Sequence, residues 1–164
     1  MLPHDKKCLI QILFIGNVYN NFIEQFGKFQ DIKIETQKFL PRDKMIKIAK
    51  SASLLLLINL SSVYGKGLMT AKIFDYLSLR KPILAIGDKG GCLDELLIQT
   101  NSGRLFTEND IQEISSFIDK NIQDWIENSV ILLDDNKLLD KYRTAENVKK
   151  LTGVFDQLLV KKYK

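Results

Sequence analysis

Two glycines, two lysines and one aspartate stand close together in the stretch SSVYGKGLMTAKIFD, in the middle of the chain. Gly65 and Gly67 can adopt positive φ angles, so they allow backbone amides to approach a ligand closely. A helix pattern starts directly behind them, and the free N–H groups at a helix start favour a bound phosphate. Lys66 or Lys72 can add a charge-assisted hydrogen bond. Asp75, one turn into the helix, can accept hydrogen bonds from ribose hydroxyls, so the stretch predicts a nucleotide site.

A purely structural interpretation of the same stretch is also open. Gly-x-Gly loops are common, and Thr70 can simply cap the helix. Lys72 and Asp75 stand three residues apart, which is the spacing of an ordinary ion pair on a helix surface. The local residues alone do not decide between these two interpretations.

Composition excludes several classes of protein. The 164 residues carry a net charge of +4 with scattered lysines, and no nucleic-acid-binding module is recognisable. No apolar run approaches the roughly 20 residues that span a bilayer, and the first residues lack the features of a signal peptide. Cys8 and Cys92 have no metal-ligand spacing and are expected to be reduced thiols of a cytosolic protein. His4, the single histidine, is expected to be disordered or tag-like, so no Ser-His-Asp set can be built.

Apolar runs alternate with helical patterns along the first two thirds of the chain. This alternation predicts an α/β fold with a parallel sheet, right-handed crossovers and helices on both faces, in one domain over residues 1–164. The predicted strands are LIQILFIG (9–16), IKIET (32–36), LLLLI (54–58), PILAIG (82–87) and GRLF (103–106). The predicted helices between them are FIEQFGKF (22–29), LPRDKMIKIAKSA (40–52), the segment 70–79, and LDELLI (93–98).

The chain is predicted to be helical beyond Thr107, in three segments. In the last of them a stripe of apolar residues at helical spacing is expected to face the core: Leu151, Val154, Phe155, Leu158 and Leu159. Three further expectations are local. Asp43 is expected to cap its helix. Arg80 and Lys81 are expected to lie in a solvated surface turn, and Trp125 is expected to pack in the core or at its edge.

Ligands of open parallel sheets bind outside the carboxyl ends of the strands, where the loops to the following helices converge. The loops at that edge are polar or contain glycine: GNVYN, QKFLPR, NLSSVYGKG and GDKGG. They form a predicted binding rim.

The block TAKIFDYLSLRKPILAIGDKGGCLDELLIQTNSGRLF resembles the donor-binding half of retaining GT-B glycosyltransferases of the group 1 type. The segments KIAKSASLLLLINL and YRTAENVKKLTGVFDQLL are similar to the sequences that flank this block in that family. The positions that match the family pattern are Lys72, Phe74, Tyr76, Leu77, Pro82, Ile83, Gly90, Gly91, Glu95 and Gly103.

The resemblance implies a Rossmann-like domain, the C-terminal half of a GT-B fold. It implies transfer of a sugar from a nucleotide-diphosphate sugar to a saccharide or lipid-linked acceptor in bacterial surface polysaccharide biosynthesis, with no cofactor and no metal. In that family the loop matching QKFLP flanks the base, the loop matching SSVYGKGLM surrounds the diphosphate, and the acid matching Asp75 holds the ribose. The donor-binding residues it implies are Phe39, Leu40, Ser62, Tyr64, Gly65, Lys66, Gly67, Leu68, Lys72, Asp75 and Glu95.

The chain departs from the family pattern in three places. Asp75 stands where the family usually has glutamate, and Gly67 stands where it has the first acid of a Glu-x7-Glu pattern. The acceptor domain and the first strand and helix of the donor domain, with their basic pair, do not match any part of the chain. We therefore expect a fragment that is inactive alone and that works with an N-terminal acceptor domain, in the same or another chain, which carries the catalytic residues.

Two other classes of function were weighed. A nucleotide-sugar epimerase-like domain would share the nucleotide site. A non-catalytic α/β nucleotide-binding module is the other alternative, although FIGNVYN contains neither the acid pair of a receiver domain nor the Thr/Ser-Gly-rich phosphate loop of a flavodoxin. The expected location is cytoplasmic, with a peripheral contact of the lysine-rich tail at the inner face of the plasma membrane.

Overall fold

The computed structural model describes residues 3–18, 24–25, 31–59, 67, 69–129, 131–133, 139, 142 and 144–162. Its strands form two parallel sheets rather than one. In the first, β1 (Gln11–Ile15) pairs with β2 (Lys33–Gln37), and in the second the order is β3 (Leu55–Asn59), β4 (Ile83–Gly87) and β5 (Gly103–Phe106). The predicted α/β class with parallel strands is confirmed.

Six helices lie within the described residues. They are α1 (His4–Lys7), α2 (Arg42–Ser51), α3 (Lys72–Leu79), α4 (Cys92–Thr100), α5 (Ile111–Asn128) and α6 (Thr144–Lys162). The predicted helical C-terminal end is confirmed. Two of the helices expected beyond Thr107 are joined in α5, because no glycine or proline interrupts the sequence between them. The helix expected at FIEQFGKF lies largely outside the described residues.

The core is built on the three-stranded sheet. Ile83 and Ala85 on the central strand β4 have no exposed surface, as expected for a strand that is covered on both faces. Helices α3 and α4 cover this sheet with buried residues that recur at helical spacing, and α2 adds two partly buried residues. These helix residues are Ile73, Leu77, Leu93, Leu96, Leu97, Ile46 and Ala49. Each fully buried leucine or isoleucine contributes about 1.5–3 kcal/mol.

Two predicted helix caps are wrong. Helix α2 has Pro41 at its N-cap, and no side chain makes a cap hydrogen bond there. The fixed φ of proline sets the direction of the chain, and the carbonyl of Pro41 accepts the first hydrogen bond of the helix, from Met45 N. Asp43 instead lies in the first turn, where its charge still favours the helix dipole. Helix α3 has Ala71, not Thr70, at its N-cap.

The expectation of a solvated turn at Arg80 and Lys81 is also wrong. Arg80 ends α3 in the left-handed conformation, with φ 56°. The chain therefore enters β4 at once, and Lys81 is only 7% exposed beside the buried Pro82. The Arg80 carbonyl accepts a hydrogen bond of 2.8 Å from Leu133 N. A long lysine stem can be buried in this way while its ammonium group reaches toward water.

The apolar stripe of α6 does not face the core. All five residues of the predicted stripe are more than half exposed: Leu151, Val154, Phe155, Leu158 and Leu159. Before that helix, Leu139 and Tyr142 do pack against the core, and the Tyr142 ring lies 6.2 Å from the Phe74 ring. Trp125 is 39% exposed and does not belong to the buried core.

The expectation for His4 is wrong as well. His4 begins the short helix α1 and places Nδ1 3.3 Å from Asp31 Oδ2. A further contact joins α1 to α5, because Lys6 Nζ lies 2.6 Å from Asp119 Oδ1. The N-terminal residues from Pro3 onward are therefore part of the fold.

Candidate ligand site at the carboxyl edge

Helices α2, α3 and α4 each follow a strand, so their N-termini lie at the carboxyl edge of the sheets. The first N–H groups of a helix have no partner within the helix and carry partial positive charge. This edge therefore has the polarity that suits an anionic ligand, as expected for a parallel sheet. The side chains around these helix starts determine what can bind there.

An ion pair joins the starts of two of these helices. Arg42, the first residue of α2, donates from Nη2 to Oδ1 of Asp75 in the first turn of α3. The arginine side chain is 76% exposed and the aspartate side chain 24% exposed. The hydrogen bond and the negative charge of Asp75 raise the pKa of Arg42 above its usual value. The surface ion pair considered for Lys72 and Asp75 is not present, since Asp75 pairs with Arg42.

Tyr76, the neighbour of Asp75, attaches α3 to the adjacent sheet. Its hydroxyl donates a hydrogen bond of 3.3 Å to the carbonyl of Leu56 in β3. Burial raises the pKa of the Tyr76 hydroxyl, and the negative charge of Asp75 raises it further. The hydrogen bond from Tyr76 therefore helps to fix the position of the helix turn that carries Asp75.

The loop GDKGG (87–91) is held by two aspartates that lie outside it, Asp94 in α4 and Asp110 before α5. Gly90 adopts φ 71° and its N–H donates to Asp94 Oδ2 at 2.8 Å. Lys89 Nζ lies 2.5 Å from Asp110 Oδ2, which also accepts from Thr107 N at 2.8 Å. The hydrogen bond from Lys89 and the one from Thr107 N lower the pKa of Asp110. Lys89 therefore helps to hold the loop through its ion pair with Asp110.

The described members of the predicted donor site differ in exposure. Phe39, between β2 and α2, is 80% exposed, and Leu40 beside it is half-buried. Lys72 and Glu95 are exposed in the first turns of α3 and α4. The described hydrogen bonds and ion pairs connect neither of these two to Asp75.

Gly67 does not use the positive φ angle that glycine allows, since the positive-φ glycines among the described residues are Gly16 and Gly90. A Cβ added to Gly67 would meet no atom within 4 Å, so the position is open. The other predicted residues lie outside the described residues: Ser62, Tyr64, Gly65, Lys66 and Leu68.

The predicted donor-binding residues do not include Arg42, although it ends QKFLPR, one of the loops of the predicted rim. Its position after Pro41 is the available signal, because the residue after a proline at the end of such a loop can begin a helix at the carboxyl edge. Asp75, in the first turn of the next helix of the chain, carries the opposite charge.

The described residues contain no group of three or more His, Cys, Asp or Glu side chains arranged to hold a metal ion. None of their helices is both long enough and apolar enough to cross a membrane.

Comparison with family models, with curated proteins and with solved structures found no match for this chain.

Proposed function

We propose that this chain is the donor-binding part of a glycosyltransferase, which binds a nucleotide-diphosphate sugar at the carboxyl edge of its sheets. The observation that carries the proposal is the position of Asp75. Its carboxylate lies in the first turn of α3, next to the start of α2, where a ribose can lie between two helix N-termini. The resemblance of the block around it to group 1 glycosyltransferases supports the same function.

Each part of the ligand has a partner in this proposal. Asp75 accepts hydrogen bonds from the ribose hydroxyls through Oδ2, which contacts no other side chain among the described residues, while Oδ1 contacts Arg42. The N–H groups at the start of α3 and the exposed Lys72 bind the diphosphate. Phe39 presents an exposed aromatic ring that can stack on the base.

The chemistry needs a second domain in this proposal. The acceptor, a saccharide or a lipid-linked saccharide, is bound by an N-terminal acceptor domain that also supplies the catalytic residues. The departing nucleoside diphosphate is stabilised by the helix end and by basic side chains, which offset the charge that develops on the phosphate. The chain alone binds the donor and does not transfer the sugar.

The test is an NMR titration of the chain with UDP, GDP, ADP and CMP in turn. We expect one base to be preferred, with amide shifts at Phe39, Arg42 and Asp75. The absence of shifts at millimolar concentrations of all four nucleotides would contradict the proposal.

The assignment of the ribose to Asp75 is tested by comparing a ribonucleotide with its 2′,3′-dideoxy analogue. Asp75→Ala should weaken binding of the ribonucleotide by about tenfold or more, because a hydrogen bond to a charged group contributes about 1.5–3 kcal/mol. The variant and the original chain should bind the dideoxy analogue equally. The matched control is Asp43→Ala, which removes an exposed acid from the first turn of α2. Equal losses for both nucleotides would exclude a ribose contact.

A further inference from the structure

Cys8, His4 and Asp31 form a cluster at the amino edge of the two-stranded sheet, before β1 and β2 begin. Sγ of Cys8 lies 4.0 Å from Nε2 of His4, and Nδ1 of the same ring lies 3.3 Å from Oδ2 of Asp31. A nucleophile beside a base that is itself oriented by a third group is the arrangement that activates a cysteine, and its contacts are often loose before a reactant binds. The candidate ligand site lies at the opposite, carboxyl edge, so the cluster is separate from it.

Helix α1 and the pairing of β1 with β2 bring these three residues together. His4 and Cys8 are four residues apart, which places their side chains on one face of a helix turn, and the N–H of Cys8 donates to the carbonyl of His4 at 3.3 Å. Gln11 in β1 pairs with Lys33 in β2. The segments that enter the two strands therefore run side by side, which brings Asp31 against α1.

Two lysines of α1 have acidic partners around the cluster. Lys6 donates from Nζ to Oδ1 of Asp119 in α5 at 2.6 Å, so the helix turn is attached to the rest of the fold. Lys7 Nζ lies 3.9 Å from the same oxygen of Asp31 that faces His4. This separation is beyond hydrogen-bond distance, so the ring nitrogen of His4 is the closer partner of that oxygen.

The neighbours of the His4 ring determine which of its nitrogens carries the proton. An ionised carboxylate only accepts hydrogen bonds, so Asp31 favours a proton on Nδ1. In the neutral imidazole the other nitrogen, Nε2, is then an acceptor, and it faces the thiol of Cys8. The thiol can therefore give its proton to the ring, while Asp31 offsets the positive charge that the ring gains.

The cluster is open to small molecules. The side chain of His4 is 74% exposed, that of Asp31 is 40% exposed, and Cys8 is an exposed free thiol. The chain has one other cysteine, Cys92 at the start of α4, and no second histidine that could act as its base. Exposure together with a neighbouring histidine is what makes a cysteine reactive rather than structural.

We propose that Cys8 is a reactive thiol that exchanges with small disulfides and is thereby modified reversibly, with His4 as its base and Asp31 as the residue that positions the base. The co-reactant is a soluble disulfide of low molecular weight. The inference uses only α1 and the amino edge of β1 and β2, and it does not rest on the proposed function.

The proposed exchange balances in atoms and electrons. Cys8 gives its proton to Nε2 of His4, and the Cys8 sulfur attacks one sulfur of the disulfide. The disulfide bond of the co-reactant breaks as the new bond to Cys8 Sγ forms, and the leaving thiolate takes the proton from the His4 ring. One disulfide replaces another, so no further oxidant is needed, and an added thiol reverses the reaction.

The test measures the rate at which the chain reacts with dithiodipyridine, an uncharged disulfide whose released half absorbs light. All proteins carry Cys92→Ser, so that Cys8 is the only thiol. We expect His4→Gln to slow the reaction by about tenfold, less than the roughly 10²–10⁴-fold of a general base in a closed active site, because this cluster is exposed. Unfolding of α1 by the substitution cannot imitate this result, since it would leave Cys8 no less accessible.

Asp31 is a positioning residue, and its role has a readout of its own. Asp31→Asn should slow the reaction by about twofold to fivefold, because exposed ionic contacts contribute little. His4 is the single histidine, so nitrogen NMR of its ring shows directly which nitrogen carries the proton. We expect the proton on Nδ1 in the original chain and a shift toward Nε2 in Asp31→Asn. The matched control is Asp5→Asn, which removes an exposed acid from the same helix and should change neither the rate nor the spectrum.

Three results would overturn the inference. One is an equal rate for His4→Gln and its Cys92→Ser background, because the ring would then not act as the base. Another is a slower reaction of His4→Gln that persists in concentrated urea, where the cluster is dispersed. The third is a label on Cys8 that an added thiol does not remove.

Discussion

The guanidinium of Arg42 and the carboxylate of Asp75 join the first residue of α2 to the first turn of α3. The two residues are far apart in sequence, and each stands at the start of a helix on the carboxyl edge of the sheets. The pair holds the Asp75 carboxylate in one orientation and neutralises part of its charge. In the proposed function Arg42 therefore acts through Asp75, whose carboxylate it orients toward the ribose hydroxyls.

The first prediction concerns this pair. Arg42→Met should leave the unfolding midpoint in urea nearly unchanged, because the Arg42 side chain is 76% exposed and exposed ion pairs contribute little. The same variant should weaken nucleotide binding less than Asp75→Ala does. The double variant should bind like Asp75→Ala alone, since both changes remove one contact.

Calorimetric titration of the four proteins with the preferred nucleotide checks this non-additivity. Lys44→Met, an exposed neighbour on α2, is the control. Additive losses would mean that Arg42 and Asp75 contact the ligand independently.

The second prediction compares two glycines. A Cβ at Gly103 would lie 2.0 Å from the carbonyl oxygen of Ile83, so Gly103→Ala must push β5 away from β4. We expect a loss of about 2–3 kcal/mol in the free energy of unfolding. A Cβ at Gly153, within α6, meets no atom within 4 Å. Gly153→Ala should therefore stabilise the helix by up to about 1 kcal/mol.

Urea unfolding followed by circular dichroism measures both changes. An unchanged free energy of unfolding for Gly103→Ala would contradict the close approach of Gly103 to the Ile83 carbonyl. A loss for Gly153→Ala would show that α6 needs the small residue for a contact with another molecule.

The strands were predictable because their signal is local. Strands β3 and β4 are apolar at successive positions and are bounded by turn residues, so LLLLI and PILAIG predicted them within one residue at each end. The helix caps were less predictable. Pro41 and Ala71 precede their helices without a side-chain hydrogen bond, and the predicted caps lie one or two residues away, at Asp43 and Thr70.

The features that the sequence did not predict depend on distant parts of the chain or on the backbone conformation of a single neighbouring residue. The exposure of the α6 stripe depends on what lies next to that helix, and a periodic pattern carries no information about its partner. The burial of Lys81 follows from the left-handed turn at Arg80. Asp75 was predicted as a site residue from its place near a helix start, but its contact with Arg42 needs the two helices to be neighbours.

The third prediction concerns Tyr76. Its hydroxyl donates to the Leu56 carbonyl of β3, so Tyr76→Phe should cost about 1 kcal/mol of the free energy of unfolding. The folded-state pKa of Tyr76 is raised, which means that the folded chain prefers the neutral hydroxyl. Its contribution is therefore complete below the unfolded pKa of about 10 and is lost as the pH rises above that value.

Spectrophotometric titration of the tyrosines checks the direction of the shift. The folded chain should show a late-ionising tyrosine component, and Tyr76→Phe should remove that component. Retention of the late component in the variant would assign it to another tyrosine and would contradict the burial of the Tyr76 hydroxyl.

The fourth prediction concerns the acid stability of the GDKGG loop. Asp110 receives hydrogen bonds from Lys89 Nζ and from Thr107 N, and its folded-state pKa is lowered. A lowered folded pKa means that the contribution of Asp110 is present above the unfolded value of about 3.9 and is lost as the pH falls through the folded value. Asp110→Asn cannot lose a charge, so its stability should depend less steeply on pH in that acidic window. Urea unfolding at a series of acidic pH values measures both slopes, with Asp124→Asn on α5 as the control. Equal slopes for Asp110→Asn and the original chain would mean that Lys89 and Asp110 do not hold the loop in solution.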